Sequence, residues 1–123
     1  DIICTTTPST TPVLPDDKEL LRGKCIIAIG SYMPEMREIP DAVLDLVDNV
    51  YIELPYACEE SGDLSQPLAS GKLTKDRVKL MHEYLVSGEK EIKEGQTTYF
   101  KSVGMGLFDV CIAQKLYEVA KEK

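Results

Sequence analysis

The chain has 123 residues, of which 43% are hydrophobic and 28% are charged, a composition typical of one globular domain. Its formal net charge of −7 argues against nucleic acid or an anionic membrane as the main partner, because both bind basic surfaces. The sequence has no apolar run near the roughly 20 residues that a membrane span requires.

Three apolar runs rich in β-branched residues predict buried strands: DIICT (1–5), KCIIAIG (24–30) and NVYIEL (49–54). None alternates cleanly between apolar and polar residues, which favours a parallel sheet covered on both faces. Amphipathic segments with capping residues, PDDKELLRG (15–23) and IPDAVLDLVDN (39–49), predict short helices between them. This alternation predicts an α/β fold with about three parallel strands.

Helices are expected to dominate after the third strand. SQPLASGKL predicts a short helix ending at Gly71. TKDRVKLMHEYLVSG predicts a longer helix between Thr74 as N-cap and Gly88 as C-cap, with Val78, Met81 and Leu85 at helical spacing on its apolar face. EKEIKEGQ is polar and expected to be exposed, and TTYF is expected to be a short extended piece.

The last predicted helix begins at two glycines, Gly104 and Gly106. Glycine is a poor helix former, so its presence here suggests that something must come close to the backbone. The segment GMG is not a dinucleotide-binding GxGxxG motif, because it opens no βαβ unit. Nor does any nucleophile–histidine pairing indicate an esterase or a protease.

Two loops that follow predicted strands are candidate ligand-binding segments. TTTPST, after the first strand, offers hydroxyl and N–H groups to a ligand, and the alternative is an ordinary Ser/Thr/Pro turn. In IGSYMPEM, Gly30 and Ser31 permit close approach to the backbone, and Tyr32 and Met33 could line a pocket. The alternative is a plain turn before Pro34.

The acidic turn EESGD (59–63) could bind an amine or could simply be solvated. The cysteines form no CxxC pair and have no histidine at zinc-binding spacing, so no metal site is predicted. Most of them lie in apolar runs and are interpreted as buried side chains in a reducing cytosol; the four are Cys4, Cys25, Cys58 and Cys111.

Four blocks, in the family's order, resemble the C-terminal part of the ornithine cyclodeaminase/mu-crystallin family: DIICTTTPSTTPVLP, AIGSYMPEMREIPDAVL, EESGDLSQPLASGKL and TTYFKSVGMGLFDVCIAQKLYE. Together they cover nearly the whole chain. The resemblance implies a Rossmann-type domain that binds NAD(H) or NADP(H), a cytoplasmic homodimer, and a small imino or amino acid as substrate.

The resemblance also implies a domain division. Residues 1–96 would be the C-terminal part of the Rossmann domain, and residues 97–123 an extended segment and helix returning to a substrate and dimerisation domain. That second domain, like the glycine-rich phosphate loop, would come from an N-terminal part of the same protein. A chain that opens directly on a strand is therefore expected to be a fragment, and inactive by itself.

Carried over position by position, the resemblance implies two sets of ligand contacts. The residues expected to lie along the dinucleotide are Thr5, Thr7, Pro8, Ser9, Ile29, Gly30, Ser31, Ser102 and Val103. The residues expected to face the substrate are Tyr32, Met33 and Ser61. The two glycines that begin the last helix would then face cofactor and substrate.

Two departures from the family pattern bear on the reaction. Tyr32 occupies the position at which cyclodeaminase and alanine dehydrogenase members carry their proposed catalytic aspartate, and Lys101 stands where cyclodeaminases tend to carry aspartate. A phenol is a poor base at neutral pH. Both differences resemble the ketimine-reductase and mu-crystallin branch, which implies hydride transfer to a cyclic C=N bond. Ornithine cyclodeaminase and a non-catalytic NADPH-binding protein remain the alternatives.

Overall fold

Five parallel strands form one sheet in the computed structural model, which describes residues 1–88 and 92–122. The strands follow the spatial order β1-β2-β5-β3-β4. Their bounds are Ile2–Thr5 for β1, Cys25–Ala28 for β2, Val50–Ile52 for β3, Val78–Leu80 for β4 and Thr98–Lys101 for β5. The α/β class with a parallel sheet is confirmed, and the sheet has five strands rather than about three.

The three strands predicted from apolar runs are β1, β2 and β3. β1 pairs with β2 so that Thr5 lies beside Ala28, the last residue of each strand. β5 lies between β2 and β3, and Lys101 lies beside both Ala28 and Ile52. Four neighbouring strands therefore end at one level, and the loops that follow them share one edge of the sheet.

Six helices connect or follow the strands in the described residues. The apolar core packs these helices on the sheet through side chains such as Val43, Leu64 and Tyr99, each fully buried. The helices are α1 (Lys18–Leu21), α2 (Asp41–Leu46), α3 (Ala57–Glu60), α4 (Gly62–Ser70), α5 (Met81–Ser87) and α6 (Gly106–Lys121).

The single long helix predicted over 74–88 is wrong. This segment forms a 3-10 turn at Lys75–Arg77, then strand β4, and only then helix α5. Val78 and Leu80 face the same side of a strand paired with β3, so a period of two prevails over the helical spacing of Val78, Met81 and Leu85. Leu85, expected on the buried face, is 70% exposed. The cap at Gly88 is confirmed, with φ of +68°.

Helix α4 is longer than the sequence pattern indicated. It begins at Gly62, with Ser61 as N-cap, and ends before Gly71 in the left-handed conformation, as predicted. The preceding segment, which the sequence pattern presented as a turn, contains the short helix α3. The chain therefore reaches α4 with residues 61–64 buried, so that they belong to the interior and not to a solvated loop.

The segment 97–123 divides into a buried and an exposed part. Its extended piece is β5, which lies inside the sheet, whereas every described residue of α6 is exposed. The return of α6 to a second domain stays a prediction. Of the polar segment 89–96, residues 89–91 lie outside the described residues, and Lys93 is exposed.

The prediction that the cysteines are buried is only partly correct. Cys4 on the edge strand β1 and Cys111 on α6 are exposed, because nothing in the described residues covers those faces. Cys25 and Cys58 are half-buried. The described helices include none with the length and apolar character needed to cross a membrane.

Arg77 fastens the end of α2 to the turn that leads into β4. Its guanidinium donates to the carbonyl oxygens of Leu44 and Val47, each at 2.7 Å, and to that of Asp48 at 3.1 Å. These carbonyls have no partner within the helix, so a charged donor beside them is favourable.

We expect Arg77→Met to lower the free energy of unfolding by about 2 kcal/mol, because three carbonyl oxygens lose a charged donor. The measurement is equilibrium urea unfolding. Arg22→Met is the matched control, since among the described residues the Arg22 side chain makes only an exposed ion pair with Glu19. It should change stability by less than about 0.5 kcal/mol. Equal effects of the two substitutions would contradict this role of Arg77.

Candidate functional site

The loops after β1, β2, β3 and β5 meet at the carboxyl edge of the sheet. In open parallel sheets, ligands bind beyond the carboxyl ends of the strands. Ile29 N–H donates to the Thr5 carbonyl at 2.9 Å, and Ser102 N–H donates to the Ala28 carbonyl at 3.0 Å. The backbones of the loops after β1, β2 and β5 are therefore joined directly, and eleven of the twelve predicted ligand contacts lie on these segments.

Glu38 joins the loops after β1 and β2. Its fully buried carboxylate accepts from the hydroxyls of Thr5 and Thr7, each at 2.8 Å. It also accepts from the backbone N–H of Thr7 at 2.5 Å and from that of Gly30 at 2.9 Å. Four hydrogen bonds thus bring together three residues predicted to contact the dinucleotide.

The electrostatics of Glu38 follow from these contacts. Burial alone would raise the pKa of the Glu38 carboxyl, but the hydrogen bonds from Thr7, Thr5 and Gly30 outweigh burial and lower it. Glu38 is therefore ionised at neutral pH. Gly30 also allows the loops to touch, because a Cβ there would lie 2.3 Å from backbone atoms of Thr7.

A pair of serines joins the β2 loop to the start of α4. The Ser31 and Ser61 hydroxyls are 2.8 Å apart, and Ser31 also donates to the Met36 carbonyl at 2.8 Å. Gly62 N–H donates to the Met33 carbonyl at 3.0 Å. Both serines are fully buried, so their hydroxyls bond within the protein and not at an open surface.

Glu53, directly after β3, holds the loop after β5. One oxygen of its buried carboxylate accepts from the Ser102 hydroxyl at 2.8 Å and from the N–H groups of Val103 at 2.6 Å and Gly104 at 3.1 Å. The Tyr56 hydroxyl donates to the Gly104 carbonyl at 2.9 Å. The predicted contacts Ser102 and Val103 are thereby fixed beside the β2 loop.

The remaining predicted contacts are more accessible. Tyr32 is 53% exposed and Met33 is 43% exposed, and Ile29 and Pro8 are also exposed. Ser9 is half-buried, and its hydroxyl donates to the Thr11 carbonyl at 2.6 Å. The surface available to a ligand is therefore formed mainly by apolar side chains, backbone and the exposed Tyr32 side chain, and most of the Ser and Thr hydroxyls lie behind it.

Within the described residues, the two glycines at the start of α6 do not serve a close contact. A Cβ at Gly104 or Gly106 would meet no described atom within 4 Å. Gly104 instead has φ of +89°, which L side chains rarely adopt, and this explains the first glycine. That the pair faces a cofactor stays a prediction.

The acidic turn EESGD does contain a carboxylate that faces an amine. Asp63 is buried, and its carboxylate oxygen lies 3.6 Å from the ammonium of Lys101, which is buried as well. The other Asp63 oxygen accepts from the N–H groups of Glu38 at 2.7 Å and Ile39 at 2.9 Å. Glu59 and Glu60 in the same turn are exposed, as the alternative reading expected.

Three carboxylates organise this edge: sequence reasoning missed Glu38 and Glu53, and it marked Asp63 only as part of an acidic turn. One signal was available in the sequence. Glu53 and Lys101 are charged residues at the ends of apolar strand segments, where an apolar residue is expected. Glu38 offered none, because its partners lie 8 to 33 residues away along the chain.

Other features of the described residues are separate from this edge. An open, mainly apolar pocket of about 550 Å³ lies between α4 and the β3–β4 side of the sheet, and none of the predicted ligand contacts lines it. In residues 1–88 and 92–122, no group of three His, Cys, Asp or Glu side chains is close enough to hold a metal ion.

Replacing Glu38 with glutamine should lower stability at neutral pH by about 2–3 kcal/mol, because an amide N–H₂ group replaces an acceptor that faces N–H and O–H donors. The lowered pKa of Glu38 contributes stability that is present above the ordinary glutamate pKa of 4.5 and is lost as the pH falls through the lower folded value. The difference between wild type and Glu38→Gln should therefore shrink in acid.

Thermal unfolding measured from neutral pH into acid tests this expectation. Glu35→Gln is the matched control, because Glu35 lies exposed in the same loop. If the difference in thermal stability between wild type and Glu38→Gln is the same at all pH values, the hydrogen bonds do not depend on the charge of Glu38.

Comparison with known proteins identifies relatives over the full length of the chain. Delta(1)-pyrroline-2-carboxylate reductase of Bacillus cereus is 37% identical, and the alignment covers 100% of this chain and 38% of that protein. The chain thus spans well under half the length of this relative.

Solved structures share the fold. A probable ornithine cyclodeaminase from Bordetella pertussis superposes with a TM-score of 0.80 at 30% identity, over 99% of this chain and 40% of that one. Thermococcus litoralis Delta(1)-pyrroline-2-carboxylate reductase, solved in complex with NADH and L-proline, superposes with a TM-score of 0.75 at 24% identity, over 98% of this chain and 37% of that one.

The sequence profile of one family matches residues 1–123, the entire chain. With this match, the resemblance inferred from the four sequence blocks is confirmed: the chain belongs to the ornithine cyclodeaminase/mu-crystallin family.

Proposed function

We propose that the chain is the C-terminal part of an NAD(P)H-dependent oxidoreductase that reduces the C=N bond of a cyclic imino acid. The observation that carries the proposal is the end-to-end similarity to a pyrroline-2-carboxylate reductase, at 37% identity over 100% of the chain. The joined loops at the carboxyl edge of the parallel sheet support it, because this edge is where such folds bind dinucleotides.

The residues at this edge suit a nicotinamide cofactor, NAD(H) or NADP(H). Gly104 leaves open space beside the backbone, and the exposed side chains of Ile29 and Met33 offer apolar surface for a flat ring. When bound, the reduced nicotinamide supplies the hydride for the imine carbon. The residue that distinguishes NAD from NADP is expected in the preceding part of the protein.

In this proposal the predicted cofactor contacts act in two ways. Thr5, Thr7 and Gly30 shape the loops through Glu38, while Pro8, Ser9 and Ile29 present surface to the dinucleotide. Ser102 and Val103 form the corresponding wall on the β5 side. Because the loops are already hydrogen-bonded to one another, little conformational entropy would be lost when the cofactor binds.

Tyr32, Met33 and Ser61 are proposed to act on the substrate side. Ser61 is buried, so its contribution is to hold Ser31 and the loop that carries Tyr32 and Met33. The exposed Tyr32 hydroxyl can donate a hydrogen bond to an imino acid. A protonated cyclic imine is already electrophilic, so orientation and exclusion of water suffice without an aspartate at this position.

The wider assembly is part of the same proposal. Helix α6 exposes apolar side chains, including Leu107, Ile112 and Leu116, each at least 59% exposed. Such a surface suits contact with the N-terminal part of the protein or with the second subunit of a homodimer. We propose a cytoplasmic enzyme, and we expect the isolated 123-residue chain to be inactive.

Ornithine cyclodeaminase is the second candidate, since a probable member of that class is 30% identical and shares the fold. It would convert ornithine to proline and ammonia. Tyr32 in place of the aspartate expected in that class disfavours this activity. A protein that binds NADPH and a small acid without turnover is the third candidate.

We expect the complete protein to oxidise NADH or NADPH when Delta(1)-pyrroline-2-carboxylate is added, with one proline formed per cofactor oxidised. Absorbance of the reduced nicotinamide and proline analysis measure this reaction. Cofactor binding without turnover would favour the binding protein, and ammonia released from ornithine would favour the cyclodeaminase. Turnover by residues 1–123 alone would contradict the expected inactivity of the chain.

Tyr32→Phe should lower kcat/KM for the imine by about 3- to 10-fold, the effect of losing one neutral hydrogen bond, and should leave cofactor affinity unchanged. Steady-state kinetics and cofactor titration measure both quantities. Tyr84→Phe is the control, because Tyr84 lies on α5 and packs its ring against Tyr51 of β3. An unchanged kcat/KM in Tyr32→Phe would mean that this hydroxyl does not contact the substrate.

A further inference from the structure

A buried ion pair lies beneath the carboxyl edge of the sheet. Lys101 ends the central strand β5 and Asp63 lies in the first turn of α4, and both side chains are 0% exposed. The Lys101 ammonium lies 3.6 Å from one Asp63 oxygen, which is longer than an ordinary hydrogen bond. Within the described residues, neither atom has a hydrogen-bond partner.

Such a pair is a costly way to stabilise a fold. Burial raises the pKa of Asp63, against the N–H groups of Ile39 and Glu38 that lower it, and burial lowers the pKa of Lys101 despite the nearby carboxylates. Taking two charges out of water commonly costs as much as their attraction returns, and apolar residues of similar size are often equally stable. The location of the pair therefore calls for a separate explanation.

The Lys101–Asp63 pair connects Glu38 and Glu53, the two carboxylates that hold the loops. Through its second oxygen, Asp63 accepts from the N–H groups of Glu38 and Ile39, and so fixes the backbone of the residue that joins the β1 and β2 loops. Lys101 directly precedes Ser102, whose hydroxyl donates to Glu53. The Lys101–Asp63 pair thus links the loops after β1 and β2, which Glu38 joins, with the loop after β5, which Glu53 holds.

We propose that Lys101 and Asp63 are positioning residues that hold the Glu38-bound and Glu53-bound loops in register, and so set the affinity for the nicotinamide cofactor. The assignment of a ligand to these loops rests on the proposed function. The linkage itself rests on the contacts alone, so the two can be tested separately.

The first experiment removes the ammonium and follows the loops. In Lys101→Met, Asp63 becomes a buried carboxylate without a counter-charge, and we expect it to shift and to weaken its hydrogen bonds to the N–H groups of Glu38 and Ile39. In the complete protein, hydrogen–deuterium exchange of peptides covering residues 5–9 and 29–31 should become about tenfold faster, because the N–H groups of Thr7 and Gly30 lose a well-placed charged acceptor.

Two further variants separate positioning from simple loss of packing. Lys24→Met is the matched control, because Lys24 also pairs with an aspartate, at 2.7 Å, but at the opposite end of β2. It should leave the exchange of both peptides unchanged. The double variant Lys101→Met/Asp63→Asn should restore slow exchange to within about threefold of wild type, because the asparagine oxygen still accepts from both N–H groups without leaving a charge.

The second readout is cofactor binding. Lys101→Met should raise the Kd for NADH or NADPH about tenfold, with kcat at saturating cofactor within about threefold of wild type, because binding and not hydride transfer depends on loop placement. The double variant should recover most of the affinity. A fall in kcat with unchanged Kd would overturn the proposal.

The pH dependence of cofactor affinity distinguishes the loss of the Lys101 charge from a simple loss of packing. Glu38 faces Asp63 and Lys101 from the β2 loop, Glu53 faces Lys101 from the end of β3, and Tyr99 on β5 faces Asp63. Removing Lys101 removes an influence that lowers the pKa of Asp63, so Asp63 becomes neutral at a higher pH. The binding defect of Lys101→Met should therefore shrink as the pH falls from neutral, and the double variant should not show this change.

The possible results distinguish failure of the positioning role from failure of the proposed function. Unchanged exchange in Lys101→Met, or a double variant no closer to wild type than the single variant, would overturn the positioning role. If Lys101→Met does not fold, the double variant decides, since it must fold with slow exchange of the same peptides. If no cofactor binds at all, the proposed function fails, and the exchange measurements still test the linkage.

Discussion

The geometry of the carboxyl edge depends on the Glu38 carboxylate. Loops at the ends of parallel strands carry backbone N–H groups that need partners once they are buried. Glu38 satisfies two such groups, at Thr7 and Gly30, and two hydroxyls in addition. Charge-assisted hydrogen bonds are stronger than neutral ones, so a single side chain can hold two loops in one arrangement.

The buried acceptors behind the loops occupy most of the Ser and Thr hydroxyls, which limits the groups that can recognise a ligand. The Thr5, Thr7, Ser31 and Ser102 hydroxyls donate within the protein, so the surface that remains consists mainly of backbone and apolar atoms, with the Tyr32 hydroxyl as an exposed donor. Recognition would then depend on shape and on a fixed backbone more than on hydroxyl donors. A preorganised surface of this kind favours binding, because its ordering cost is met during folding.

Two surfaces of the chain remain uncovered in this structure. Ile2 on the edge strand β1 is 73% exposed, and every described residue of α6 is exposed. An open strand edge and an apolar helix are surfaces that proteins normally cover by pairing or packing. Both features agree with the proposal that this chain functions as part of a longer family member.

The sequence by itself determined the class of fold and the family. The β-branched runs predict β1, β2 and β3 because parallel strands buried on both faces must be apolar, and the caps at Gly71 and Gly88 follow from local backbone conformation. Only the tertiary structure decided that residues 78–80 form a strand, since pairing with β3 outweighs local helical spacing. It also decided that Glu38, Asp63 and Lys101 lie together, because their contacts join residues 25 to 38 positions apart, and no local pattern encodes contacts at that separation.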